Sequence, residues 1–161
     1  MIEKQFVSHW HQYIENMTQT PKEFYSSIET LIKDEQLPDV KTSRVKHSER
    51  GLLSANREYL QIKSKGYFFD VCAAPYGRGF FVSYWQRENR SAKGSLLERI
   101  PIFGGLFRAV AMPETFFTVD TRLMFQGAVH SCIVHAINTM LEAKGMKALS
   151  DAQKAVPAAS N

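Results

Sequence analysis

The side chains best suited to acid–base chemistry are two carboxylates and one histidine. Asp70 lies in the otherwise apolar segment YFFDVCAA at 67–74, where a carboxylate needs a partner. His130 borders the apolar stripe of a predicted helix, and a histidine paired with a carboxylate in a cleft can exchange protons near neutral pH. Asp120 is the second carboxylate that could pair with His130. These residues favour, as one alternative, a small hydrolase or transferase that uses His130 with Asp70 or Asp120.

A buried ion pair is the simpler interpretation of Asp70. Arg57, Arg78 or Arg87 could supply the positive charge, and we favour this structural role over that of a general base. Arg78 lies in PYGRG at 75–79, which is only superficially similar to a phosphate-binding loop. Such a loop joins a strand to a helix, whereas this segment joins two predicted strands. We retain Arg78 as a candidate binding residue.

Neither cysteine is predicted to be reactive. A nucleophilic cysteine needs a lowered pKa, whereas the charge of Asp70 two residues away would raise the pKa of Cys72. Cys132 lies in the apolar sequence SCI, and both residues are expected to behave as reduced, small, buried side chains.

The histidine spacing indicates neither a metal site nor a cofactor. His9 and His11 fall in a predicted helix, where they would point about 200° apart, and His130 and His135 would lie about 140° apart. The zinc-protease spacing is absent.

The segment 96–112 carries the main binding hypothesis. It is rich in apolar residues, contains Gly104 and Gly105, and includes basic side chains. One interpretation is a segment that covers the core of the domain. The other is an exposed amphipathic segment that meets a membrane or a partner protein. The candidate binding residues are Phe103, Leu106, Phe107 and Arg108.

The elements predicted to position these residues begin with a helical hairpin. Apolar residues recur every three or four positions over 2–17, which predicts a first helix. TPKE at 20–23 predicts the start of a second, with Thr20 and Glu23 forming a capping box and Pro21 in the first turn.

A sheet and a long helix are predicted to follow. REYLQIKS, YFFDVCAA and FFVSYWQRE are separated by short turns, which favours an antiparallel meander within a sheet of about four or five strands. TFFTVDT at 115–121 is interpreted as a further strand. A final helix should then begin near Asp120 or Thr121, run to Lys144 and stop at Gly145. Its predicted buried stripe is Phe125, Val129, Cys132, Ile133, Ala136, Ile137, Met140 and Leu141.

The whole pattern predicts one α+β domain over 1–145, followed by a flexible tail over 146–161. The long final helix should pack on the sheet. A length of 161 residues suffices for one core, and the net charge of +4 with a pI near 9.1 favours acidic partners. The N-terminus lacks the apolar core of a signal peptide, so we expect a cytoplasmic protein or one peripheral to the inner membrane.

Two blocks of the chain resemble an uncharacterised family of bacterial proteins. The first contains REYLQIK and FFDVCAAPYGRGFFVSYW, and the second is TFFTVDTRLMFQGAVHSCIVHAI. Members of that family place hydrophobic membrane segments between the blocks, where this chain has only 96–112. The resemblance implies a bacterial origin and proximity to a membrane, and it brings no established activity.

The leading hypothesis is therefore a non-catalytic binding or assembly protein. Its expected partner is a protein or a membrane surface, reached through 96–112, and homo-oligomerisation remains open. Aromatic strands with nearby basic residues are also typical of platforms for single-stranded nucleic acid. Because these aromatic residues alternate between the two faces, at least half must be core, and nucleic acid is not the expected partner.

Overall fold

The sheet is antiparallel and five-stranded, with the helices on one face. The computed structural model describes residues 4–48, 56–89 and 115–157. The strand order is β1-β5-β4-β3-β2. The predicted α+β class, with an antiparallel sheet and a long C-terminal helix, is confirmed. The elements are β1 Lys4–Glu15, α1 Pro21–Asp34, β2 Lys41–Ser48, β3 Asn56–Ser64, β4 Tyr67–Tyr76, β5 Gly79–Asn89, α2 Phe116–Ala143 and α3 Asp151–Lys154.

The predicted first helix over 2–17 is wrong, and so is the N-terminal helical hairpin. Residues 4–15 form β1, which pairs with β5 along its length, with one register shift between Phe6 and Ser8. Trp10 and Ile14 are both buried, but a spacing of four places two residues on one face of a strand as well as of a helix. Pairing with β5, a long-range interaction, decides between the two.

The predicted strand over 115–121 is also wrong. Thr115 caps α2, because its hydroxyl accepts a hydrogen bond from the Thr118 amide while the Thr118 hydroxyl accepts one from the Thr115 amide. The segment is β-branched and aromatic, but preference for strands depends on a pleated, half-buried surface, and Phe116 is 93% exposed. The predicted end of α2 is confirmed, since Gly145 follows it with φ +68°.

The helix α1 begins as predicted. Thr20 and Glu23 form the capping box, and Pro21 occupies the first turn. The buried residues of α1 are Phe24, Tyr25, Ile28 and Ile32, with Ile28 four positions after Phe24 and three after Tyr25, and Ile32 four positions after Ile28. This spacing turns one side of α1 toward the sheet.

The two predicted hairpins are confirmed. β3, β4 and β5 follow one another with short turns, and Lys65 and Gly66 both have positive φ, at 48° and 94°. Two consecutive residues with positive φ are typical of the tight turn that matches the twist of a hairpin. β4 and β5 therefore lie in the interior of the sheet, between β1 and β3.

The core lies between the sheet and the two long helices. Phe24 of α1 meets Phe80 of β5 edge-on, with ring centroids 5.7 Å apart, and Phe125 of α2 meets Phe69 of β4 at 5.4 Å. The predicted stripe of α2 is buried at every position: Phe125, Val129, Cys132, Ile133, Ala136, Ile137, Met140 and Leu141.

One hydroxyl from α1 completes the sheet where β3 and β4 separate. The β3–β4 pairing extends to Leu60 and Val71, and continuing its register would set Glu58 opposite Ala73. At that position the Tyr25 hydroxyl accepts from the Ala73 amide at 2.8 Å and donates to the Glu58 carbonyl at 2.9 Å. Tyr25 thus replaces a direct backbone bond between the strands and satisfies both groups.

Residues that follow α2 in the chain also contact the sheet and α2. The Gln153 carbonyl accepts from the Trp10 indole at 3.0 Å and from Gln12 Nε2 at 2.8 Å. Leu149 is buried, and its amide donates to Asn138 Oδ1 at 2.9 Å. Leu149 and Gln153 belong to the segment 146–161, for which the sequence predicts a flexible tail.

Candidate functional site

Alternate residues of all five strands point away from α1 and α2. We name this surface the open face, because in the described part of the chain neither of those helices packs on it. One row of facing residues crosses its full width: Ser43, Gln61, Asp70, Trp85 and His9. The open face further includes His11, Tyr13, Lys41, Val45, His47, Arg57, Tyr59, Lys63, Phe68, Cys72, Phe81, Ser83 and Arg87.

Asp70 lies at the centre of the open face and has several partners. Its carboxylate forms an ion pair with Arg87, and its Oδ1 accepts from Gln61 Nε2 at 2.8 Å. His47 Nε2 lies 4.0 Å from the same oxygen. Asp70 is 4% exposed and Arg87 9%, so the predicted buried ion pair is confirmed with Arg87 as the partner. A carboxylate engaged in this way is suited to holding the strands in register.

Cys72 lies in the next row of the open face and is a buried thiol. Burial raises its pKa, while the adjacent Arg57 guanidinium and a hydrogen bond from Tyr59 act in the opposite direction. Cys132, on α2, also has a raised pKa, chiefly because it is buried. Both are free cysteines, and neither has the lowered pKa that a nucleophile requires.

A ladder of aromatic and imidazole rings follows the β1 side of the open face. His9 stacks on Trp85 with ring centroids 3.9 Å apart, and on His11 at 5.4 Å. His11 in turn lies 6.2 Å from the ring of Phe81. Burial lowers the pKa of His9, and the neighbouring His11 lowers it further. Since β1 is a strand, His9 and His11 share one face, so the helical geometry that was expected to separate them does not apply.

His130 lies on the other side of the sheet. Its Nε2 is 2.8 Å from the Lys154 carbonyl, which can only accept, so Nε2 carries the proton. Its Nδ1, 3.2 Å from the Tyr84 hydroxyl, is then the acceptor. Burial lowers the pKa of His130 and favours this neutral form. Both ring nitrogens are therefore used in joining α2 to β5 and to the segment that ends α3.

The structure does not bring the three acid–base candidates together. Asp70 lies on the open face, whereas His130 lies on α2, which packs on the opposite face. Asp120 is exposed and precedes His130 by ten residues on the same helix, a rise of about 15 Å. A cleft of about 380 Å³ runs along α2, but the side chains lining it include His135 and Lys154 and none of these three.

The predicted binding residues fall into two groups. Arg78 is exposed in the turn between β4 and β5, near the point where the Tyr13 hydroxyl donates to the Tyr76 carbonyl at 3.0 Å. Phe103, Leu106, Phe107 and Arg108, with the rest of 96–112, lie outside the described residues.

Several features of the open face depend on strand pairing and cannot be found from one segment of the sequence. Gln61 and His47 reach Asp70 only because β2, β3 and β4 are aligned in a particular register. The spacing of His9 and His11 is a signal for a shared face, but only once the segment is known to be a strand.

Comparison with known proteins assigns no family to this chain. Models of protein families, curated proteins and solved structures all give no match. Within 4–48, 56–89 and 115–157, no group of three or more His, Cys, Asp or Glu side chains is arranged to hold a metal ion. No helix among those residues has the length and apolar character needed to cross a membrane.

Proposed function

We propose that the protein is a non-catalytic binding protein whose open face receives an acidic segment of a partner protein. The observation that carries the proposal is a pair of like charges. Lys41 of β2 lies directly opposite Lys63 of β3, and both side chains are exposed. Like charges facing each other across two strands destabilise a sheet, so an anionic group between them would relieve the repulsion.

A second pair of facing basic residues extends this surface along the same two strands. Arg57 lies directly opposite His47, on the same face as Lys41 and Lys63. The carboxylate of Asp70 forms an ion pair with Arg87 and lies 4.0 Å from His47 Nε2. The chain as a whole carries a net charge of +4, which attracts acidic partners over long range.

Apolar and aromatic groups adjoin the cationic side chains. Val45 and Tyr59 face each other between the Lys41/Lys63 pair and the His47/Arg57 pair, and both are half-buried. A protein segment that combines carboxylates with apolar side chains would match this surface better than a purely polar ligand. Ion pairs would raise the rate of association and fix the register of the partner, and apolar contacts would add affinity.

The test is the binding of a fluorescein-labelled peptide of ten residues, alternating Glu and Tyr, followed by fluorescence anisotropy. The double variant Lys41→Glu/Lys63→Glu should lose about tenfold or more in affinity, since each ion pair of this kind contributes about 1 kcal/mol. The matched control is Lys22→Glu/Lys33→Glu, which makes the same charge change at exposed positions of α1. Equal losses in both variants would show that net charge alone drives binding and would refute the proposal.

The segment 96–112 supports a second candidate for the binding partner, namely a membrane surface. Its apolar residues and its arginines are the observation behind this alternative. Flotation with vesicles containing anionic lipid should then recover the whole chain but not a variant lacking 96–112. Flotation lost through Lys41→Glu/Lys63→Glu instead would assign vesicle binding to the open face.

A further inference from the structure

We propose that His9 and His11 form a two-histidine site for a divalent transition-metal ion, with Cu²⁺ bound most tightly and Ni²⁺ and Zn²⁺ more weakly. The site lies on the open face at β1, at the opposite edge of the sheet from Lys41 of β2 and Lys63 of β3. It does not depend on the proposed binding of an acidic partner.

The backbone of β1 places both imidazoles on one face. They are two residues apart in a strand, and their ring centroids are 5.4 Å apart with an angle of 25° between the ring planes. An imidazole nitrogen lies about 2.0–2.1 Å from a bound ion, so the centroids of two imidazoles on one ion are about 4.5–6 Å apart. The observed separation falls in that range, and with His9 held against Trp85, rotation of the exposed His11 side chain would suffice to direct both rings to one ion.

The ring nitrogens of this pair are available, unlike those of His130. No hydrogen bond or ion pair engages the ring nitrogens of His9 or His11 among the contacts of the described residues; the contacts of these rings are stacking contacts. His130 uses both of its nitrogens within the fold. His11 is exposed, so an ion can reach the pair from solvent.

Trp85 acts as a positioning residue for the site. Its ring stacks on His9 with centroids 3.9 Å apart, and it faces His9 directly in the register of β1 and β5. Stacking restricts the rotation of His9 and lowers the entropy lost when an ion binds. The same proximity gives the site an optical signal, because a bound Cu²⁺ would quench the fluorescence of Trp85.

The ligand set determines which ions should bind. Imidazole suits Cu²⁺, Ni²⁺ and Zn²⁺, and affinity for such ligands rises to a maximum at Cu²⁺. Mg²⁺ and Ca²⁺ prefer oxygen ligands and should not bind here. Two protein ligands leave the other coordination positions to water, as in an open site.

The test is titration of the untagged chain with CuCl₂, measured both by calorimetry and by tryptophan fluorescence. We expect one Cu²⁺ per chain at this site, with quenching, and no binding of Mg²⁺. His11→Asn should weaken binding by about tenfold or more. The matched control, His135→Asn, removes an exposed histidine from α2 and should leave the affinity unchanged. Circular dichroism checks that each variant is folded.

A further variant locates the ion relative to the two tryptophans. Trp85→Phe should keep at least part of the binding heat but lose most of the quenching, because Trp10 lies on the other side of the sheet, where its indole bonds to the Gln153 carbonyl. Unchanged affinity in His11→Asn, or an equal loss in His135→Asn, would overturn the proposal. Undiminished quenching in Trp85→Phe would also overturn it, since the ion would then lie elsewhere.

Discussion

The two faces of β2 and β3 differ in how their charged side chains are paired. On the side where α1 packs, Lys46 lies opposite Glu58, and Arg44 forms an ion pair with Glu29 at 2.7 Å. On the open face of the same strands, Lys41 lies opposite Lys63. Complementary pairs stabilise a sheet and like pairs destabilise it. The helix side is therefore arranged for stability, whereas the open face keeps a repulsion that a bound anion would remove.

The aromatic residues of the two faces differ in the same sense. On the helix side, Phe69, Phe80 and Tyr84 are fully buried among rings of both long helices and of neighbouring strands. On the open face, Trp85 is 40% exposed and Tyr13 43%. Rings that are partly accessible and anchored at one side are typical of binding surfaces.

Adjacent phenylalanines of β5 test this difference most strongly. Phe80→Ala should lower the free energy of unfolding by about 3–5 kcal/mol, because it leaves a cavity beside Phe24 in a closed core. Phe81→Ala, on the open face, should cost about 1 kcal/mol. Chemical denaturation of both variants provides the measurement. Equal losses would mean that the two faces contribute alike to stability.

Asp70 is an exception to the difference between the two faces, because it lies on the open face but stabilises the fold. Asp70→Asn should lower the free energy of unfolding by about 3 kcal/mol, because it leaves the buried Arg87 without a counter-charge. The double variant Asp70→Leu/Arg87→Met should recover most of that loss in urea denaturation. A double variant as unstable as the single one would contradict a simple ion pair.

Removing one tyrosine hydroxyl from each face compares how much the two faces contribute to stability. Tyr25→Phe should cost about 2 kcal/mol, because the Ala73 amide and the Glu58 carbonyl lose their shared partner in a largely buried position. Tyr13→Phe removes an exposed hydrogen bond to the Tyr76 carbonyl and should cost less than about 0.5 kcal/mol. Thermal and urea unfolding of the pair measure this. A smaller effect of Tyr25→Phe would mean that the two strands can close the gap themselves.

The smallest expected change in the free energy of unfolding is an increase rather than a decrease. Lys63→Glu converts the repulsive pair with Lys41 into a complementary one, so the free energy of unfolding should rise by about 0.5 kcal/mol. The same variant should bind the acidic peptide more weakly than the wild-type chain does. Loss of stability together with unchanged peptide binding would remove the basis for a functional role of this pair.

The features predicted correctly from the sequence are those set by local patterns. The capping box at Thr20, the hairpin turns and the eight-residue stripe of α2 each depend on residues close in the chain. The ion pair of Asp70 was predicted because a charge in an apolar strand has few alternatives. Its partner, Arg87, could not be chosen over Arg57 or Arg78 without the strand register.

The errors arose where local patterns are ambiguous. The spacing of Trp10 and Ile14 suits a helix and a strand equally, and only the pairing of β1 with β5 resolves it. That one error also concealed the shared face of His9 and His11. The rows of the open face combine residues from five strands, so no single stretch of sequence contains them.

The two tryptophans allow the most direct test of the central claim, because each lies on a different face. In a ¹⁵N–¹H correlation spectrum, titration with the acidic peptide should shift the indole signal of Trp85 and leave that of Trp10 in place. An extended ten-residue peptide spans about 33 Å and five strands span about 19 Å, so a peptide that is held by Lys41 and Lys63 and lies across the strands is long enough to reach β5. A shift of Trp10 without a shift of Trp85 would contradict the assignment of binding to the open face.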